Sequence, residues 1–398
     1  MMKTGEIIQL RGKHKWVLLF FVCACFYSCK EKYLPTIKDV NINYLVVEGL
    51  INTGADSTIF TLSRTFKLNN KPIEAPEKGA IVQVESEAGA TYVLPALFNA
   101  RRYGRPSLGL DPTKKYRLRI RTTDKREYLS DFVESKTSQP FSLKYDFKDD
   151  ALNIYADTHD SLGKSRNYMY TYVELSAYDV PVKSFYKIEN KQVVERNLID
   201  DNINLCWHLT PSPSINLAST SNLTEDRIEN KRIVLIPKTS EKISIEYTIF
   251  VKQTVVTNEG FAFYESLRKN TEDVGTIFDP QPSQLFSNIR STNTSDDVII
   301  GFISAGTASK QRMTVALAEL PTAWFVGRET DEGCIKTVGA LPLETIAQYI
   351  TEGKEKQLGT PVDKRGVPTP PGWGYGFTKV LECVDCRAKG GTIKKPDF

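Results

Sequence analysis

Tyr116-Arg-Leu-Arg-Ile-Arg121 sets Tyr116, Leu118 and Ile120 on one side of an extended backbone and Arg117, Arg119 and Arg121 on the other. Such alternation predicts an antiparallel strand with one face in a core and the other in water. Three aligned arginines can hold an anion, but a solvated strand face is the simpler reading. Upstream, Tyr44–Ile51 (YLVVEGLI) and Thr58–Ser63 (TIFTLS) are β-branched and apolar, with Gly, Asp and Ser between them. Ala80–Glu85 and Thr91–Leu94 flank Ala88-Gly89, a hairpin-turn signal. Short strands at this spacing predict a small β-sandwich, reached by a tether, within residues 29–138.

The polar link Lys136-Thr-Ser-Gln139 precedes a second module, residues 139–398, also β-rich and ending in a cysteine-containing tail. Its key stretch is Tyr168–Leu175 (YMYTYVEL), which alternates Tyr168, Tyr170 and Tyr172 against Met169, Thr171 and Val173. Exposed tyrosines there would stack on a sugar or peptide; in the competing reading they are the core face. Ile233–Ile236, Ile243–Val256 and Val298–Ser304 are further predicted strands. Thr257 or Asn258 caps a predicted helix carrying Phe261, Tyr264 and Leu267 on one stripe, and a short helix is expected over Leu343–Ile350. Thr369–Gly376 (TPPGWGYG) has no period and reads as loop, with Trp373 a further stacking candidate.

Residues 1–28 read as a secretory leader. Lys3, Arg11, Lys13 and Lys15 precede the apolar run Trp16–Ser28, which is shorter than the roughly 20 residues a spanning helix needs. Ser28-Cys29 resembles a lipobox, so Cys29 is the expected lipidation site; a leader cut elsewhere is the alternative. The formal net charge is +4, and four basic residues and one acid lie within the leader. The remainder is close to neutral, so no general attraction to nucleic acid is expected.

Cys206, Cys334, Cys383 and Cys386 form an even set in an exported chain, where disulfides persist. Three pairings are open, and Cys334 with Cys383 or Cys386 is the expected one. A metal knuckle or redox role for Cys383-Val-Asp-Cys386 lacks the second close pair or the βαβ context it would need. Beyond the leader the only histidines are His159 and His208. Cys206-Trp-His208 puts a thiol near an imidazole in sequence, but nucleophilic catalysis also needs a third group to orient the base. G-x-S-x-G, phosphate-loop and H-E-x-x-H patterns are absent. The expectation is a protein with no catalytic residue, cofactor or metal; a surface hydrolase is the less favoured alternative.

Several stretches occur together in a familiar order. Tyr44-Leu-Val-Val-Glu-Gly49, Leu62-Ser-Arg-Thr65 and Gly79-Ala-Ile-Val-Gln-Val84 come first. Cys206-Trp207, Phe278-Asp-Pro-Gln-Pro-Ser283, Asn288-Ile289 and Val298–Ser304 follow. Cys383-Val-Asp-Cys-Arg387, Gly390-Gly391 and Lys395-Pro-Asp-Phe398 close the chain. In that order they resemble the Bacteroidota outer-membrane lipoproteins known as domain of unknown function 4249. The resemblance implies a first module like an immunoglobulin or carboxypeptidase-regulatory sandwich. It also implies a lipid-anchored place in the outer membrane, on the cell surface, beside a TonB-dependent receptor. It carries over no catalytic residue. Lys30, Glu31 and Lys32 resemble the charged surface-export signal of such lipoproteins, against a plain hydrophilic tether. Ser57 and Ser161, each after an aspartate, resemble their O-glycosylation sites. The expected role is a non-catalytic accessory or substrate-capture subunit of a TonB-dependent transporter, with a glycan or peptide ligand. A scaffold lipoprotein of an envelope complex is the alternative.

Overall fold

The computed structural model describes residues 43–65, 75–98, 101–272, 285–294, 297–324, 333–334, 338–354, 359–362 and 373–397. Tyr44–Phe398 make one compact unit. The expected lipidation site Cys29 and the charges Lys30, Glu31 and Lys32 lie outside the described residues. The fold is mostly β, with two α-helices, Asn258–Thr271 and Leu343–Thr351, among the described residues.

The first sheet system has twelve strands. Leu45–Asn52 pairs antiparallel with Thr58–Arg64, and Ile81–Ser86 pairs antiparallel with both Thr91–Leu94 and Lys115–Arg121. The alternation of YRLRIR is realised: Tyr116, Leu118 and Ile120 are buried with Leu45, Val47, Phe60 and Val84. On the other face Arg121 is exposed, and Arg117 and Arg119 are half-buried and ion-paired. Arg117 and Arg119 meet Glu85 at 2.7 and 3.0 Å, and Arg119 also reaches Glu127 at 3.3 Å. Gly49 faces the core opposite Phe60, where a Cβ would lie 2.4 Å from the ring, so the missing side chain makes room for it.

After Val133–Lys136 the chain leaves this sheet, and Phe141–Lys148 opens another. The step at 138/139 is thus a change of sheet, but the first sheet is not contiguous in sequence. Ile289–Ser291 pairs with Glu127–Ser130, while Ile299–Ile300 and Ala305–Gly306 pair in parallel with Leu45–Asn52. Of the strand expected over 298–304 only Ile299–Ile300 forms, and the second pairing falls just beyond it at Ala305–Gly306. Its path is held by Asn288, whose amide donates to the Ile303 carbonyl and accepts from the Ile303 N–H, at 2.9 and 2.8 Å.

The second system is two layers. Phe141–Lys148, Ala151–His159 and Arg227–Pro237 form one sheet; the other centres on Asn167–Asp179 and Glu246–Val255. Their shared core holds Phe141, Leu152, Ile154, Tyr168, Tyr170 and Tyr247. A third, three-stranded sheet contains Trp373–Thr378, so Trp373–Gly376, expected as loop, is strand. Pairing with Gly339–Pro342 and Thr360–Val362 supplies the order that its Gly-rich composition does not.

Two disulfides fasten the tail, Cys206–Cys386 and Cys334–Cys383. The expected partner of Cys334 is thus one of the two anticipated. Cys383 and Cys386 each bond a distant cysteine rather than forming a local knuckle.

Candidate functional site: an amphipathic cleft

The tyrosine stripe is not a binding face. Tyr168 and Tyr170 are fully buried and Tyr172 is 6% exposed. Asn167–Asp179 is a central strand, paired on one edge with Glu246–Val255 and on the other with Leu205–Pro211 and Asn216–Ser219. Its tyrosine face is covered by the three-stranded sheet, with Phe141 set edge-on to Tyr170 at 6.1 Å. Tyr168 donates to Asp226 at 2.9 Å, whereas the Tyr170 hydroxyl has no partner. Burial pushes the Tyr170 hydroxyl well above its ordinary pKa. A buried hydroxyl without a hydrogen bond costs stability. Tyr170→Phe should therefore be neutral or stabilising by up to about 1 kcal/mol in urea unfolding; a loss of more than that would mean the hydroxyl has a partner after all.

The opposite face of the same strand is the informative one. Met169 and Thr171 look into a cleft of ≈ 760 Å³ that also takes in Lys252, Thr254 and Val256. The facing wall is the outer side of the first sheet: Val46, Glu48, Leu50, Ile59 and Thr61. Phe263, Tyr264 and Leu267 of the Asn258–Thr271 helix close one side. That helix starts as expected, with Thr257 accepting from Gly260 N–H at 3.1 Å. Its Phe263 packs on Phe302 at 5.7 Å. Gly301 brings that segment close to the first sheet, since a Cβ there would lie 2.4 Å from the Val47 carbonyl oxygen. A volume in the range of about 300–1,000 Å³ and a lining that combines apolar side chains with polar groups able to orient a ligand are what small-molecule sites share.

Three charged side chains line the cleft: Glu48, Arg102 and Lys252. Among the described residues none of them makes an ion pair. Burial pushes the Lys252 ammonium below its ordinary pKa; Asp56 opposes this and Lys310 adds to it. Asp56 is itself paired with Lys310 at 2.6 Å. Glu48 lies toward the helix, where Tyr264 is pushed up to about 12 by burial and, secondarily, by the Glu48 charge. Asn52 and Ser304 also line the cleft, both buried, and Asn52 Nδ2 and Ser304 Oγ have no hydrogen-bond partner. The sequence reading missed these residues. The available signal was a single charge inside each of two apolar strands, Glu48 in YLVVEGLI and Lys252 in YTIFVKQTVV.

The other candidates are dispersed. Ser57 is exposed in the turn beside the cleft, and Ser161 is exposed in a separate turn. That second turn is tied down by Asp160. Burial works against ionisation of its carboxyl, but bonds from Ser165 Oγ and the N–H groups of Leu162, Lys164 and Ser165 outweigh it and hold the pKa down. Trp373 lies in a strand of the third sheet. Cys206 is consumed by its disulfide, so His208, which is exposed, has no thiol beside it. A second depression, of ≈ 650 Å³, contains His159 and Asp157. Asp157 there is engaged by Lys144 and by the Asn230 N–H.

A family model described as a domain of unknown function, DUF4249, matches residues 30–312. The chain belongs to this family. The match spans both walls of the cleft, the helix beside it and the 299–306 segment. It stops before Cys334, so the likeness noted for Cys383–Phe398 lies beyond it, and Phe278–Ser283 falls within the match but outside the described residues. No curated protein matches the chain.

Proposed function

We propose that this protein is a non-catalytic capture subunit, lipid-anchored through Cys29 to the outer membrane and facing outward, that presents a ligand to a TonB-dependent receptor. The observation carrying this reading is the cleft, with its apolar walls and isolated, unpaired charges. Such a lining recognises and orients a molecule. Acid–base or nucleophilic work would call for two groups within hydrogen-bond reach of each other, and no bond joins the Glu48, Arg102 and Lys252 side chains.

Anchoring makes weak binding sufficient. A captor held beside its transporter keeps the ligand at high effective concentration, which raises occupancy without tighter contacts. The test is affinity purification of the tagged protein from detergent-solubilised native outer membrane, with Cys29→Ala as control. One TonB-dependent receptor should be recovered in near-stoichiometric amount and lost in the control. Recovery of the lipoprotein alone would overturn the transport reading and favour a freestanding binder.

A further inference from the structure

Resting on the capture reading, we infer that the cleft takes a short apolar peptide with free ends, its carboxylate against Lys252 and its amino group toward Glu48. Lys252 is the only cation on the wall built from Asn167–Asp179 and Glu246–Val255 that lines the cleft. It follows Val251 of the core face and stands across from Thr171, so its side chain projects from the cleft side of the sheet. Its strand neighbour is Lys310, which is already neutralised by Asp56. A half-buried ammonium without an anion is unfavourable in the empty protein and becomes favourable once a ligand carboxylate supplies the missing charge. Asn52 Nδ2 and Ser304 Oγ, buried and without partners among the residues lining the same cleft, add hydrogen-bond donors of the kind a carboxylate or peptide carbonyl uses, while Asn52 Oδ1 is held by the Gly54 N–H.

Glu48 supplies the opposite sign on the facing wall, where the exposed Arg102 lies in the same cross-strand row with Thr61 between them. Lys252 stands beside Lys310, whose ion pair with Asp56 places this end of the wall at the turn after Leu45–Asn52, whereas Glu48 lies four residues before Asn52, about 13 Å back along that strand. The two charges are therefore set apart, with Val46, Leu50, Met169, Phe263 and Leu267 supplying the apolar lining. An elongated zwitterion with an apolar body satisfies both charges and this surface. An uncharged sugar, even stacked on Phe263, Tyr264 or Phe302 of the cleft lining, satisfies neither charge.

The experiment is isothermal titration of the purified soluble chain, residues 30–398, with the tetrapeptide Leu-Val-Ala-Leu as the free acid, as the C-terminal amide and as the N-acetyl acid. The free acid should bind, and amidation should weaken binding at least tenfold. Lys252→Met should abolish that preference and Lys252→Arg should keep it. Glu48→Gln should weaken the free-amine peptide but not the N-acetyl one. Because Lys252→Met removes a desolvated charge, it should also raise the melting temperature by about 2 °C, which separates a binding defect from misfolding. Equal binding of acid and amide, a Lys252→Met variant that retains the preference, or no peptide binding up to millimolar concentration would each overturn the inference. Receptor recovery from membranes does not depend on this titration, so either result can fail alone.

Discussion

Replacing Cys206 and Cys386 together by alanine should cost about 4–5 kcal/mol, the chain-entropy value for a cross-link closing a very long loop. The sequence separation is 180 residues, so the unfolded chain gains much freedom when the bond is lost. The folded side loses as well. Both cysteines are fully buried, in a small cluster with Tyr178 and Val180. Tyr178 donates to the Cys386 carbonyl at 2.7 Å, and Trp207 and Thr392 exchange backbone hydrogen bonds at 2.8 and 2.9 Å. Gly391 lies so close that a Cβ would stand 2.5 Å from the Tyr178 hydroxyl. This disulfide is thus the fastener that holds the last residues on the edge of the second sheet system. Urea unfolding should show the loss, and limited proteolysis should cut near residues 387–397 first. Unchanged unfolding midpoint and unchanged cleavage would show that backbone pairing alone keeps the tail in place. The cleft contains neither cysteine, so peptide binding should survive in the fraction that remains folded.

The second large effect is expected at Asp226. Its carboxylate is 2% exposed and accepts from the Arg166 N–H at 2.8 Å, the Tyr168 hydroxyl at 2.9 Å and the Thr220 hydroxyl at 2.6 Å. Tyr168 and Thr220 are themselves fully buried. Asp226→Ala strips a partner from three donors at once, two of them out of reach of water. At about 1–3 kcal/mol for each buried group left unsatisfied, the loss should be about 3–5 kcal/mol. Tyr168→Phe removes one of these bonds and should cost about 1.5–3 kcal/mol, in contrast to the neutral Tyr170→Phe. The double variant should cost less than the sum, because both changes delete the same bond. Strict additivity in a double-mutant cycle would mean that Tyr168 and Asp226 do not interact in solution.

The alternation of YRLRIR named the buried and solvated faces of its strand correctly, because the arginines had only one tolerable side. The N-cap at Thr257 was legible for a similar reason: a hydroxyl ahead of a helix has few other uses. For YMYTYVEL the same period was read, yet it left the tyrosines open between core and binding face. Tyrosine is stable in either setting, so composition could not decide. The loop reading of Thr369–Gly376 failed at Trp373–Gly376 because glycine-rich segments show no period of their own and become strands only when neighbouring strands pair with them.

The sequence by itself determined the β-rich class, the strands that alternate, the helix starts and the family, all of which depend on residues within a few positions of one another or on their order. Tertiary structure decided the rest. It chose which face of Asn167–Asp179 the sheet of Phe141–Lys148 covers, returned Ile289–Ser291, Ile299–Ile300 and Ala305–Gly306 to the first sheet and joined Cys206 to Cys386. It also set Lys252 and Glu48 on facing walls of one cleft. The physical reason is that period two fixes which side chains share a face, whereas what covers that face depends on contacts between segments distant in sequence, as between Phe141 and Tyr170 or between Leu45–Asn52 and Ala305–Gly306.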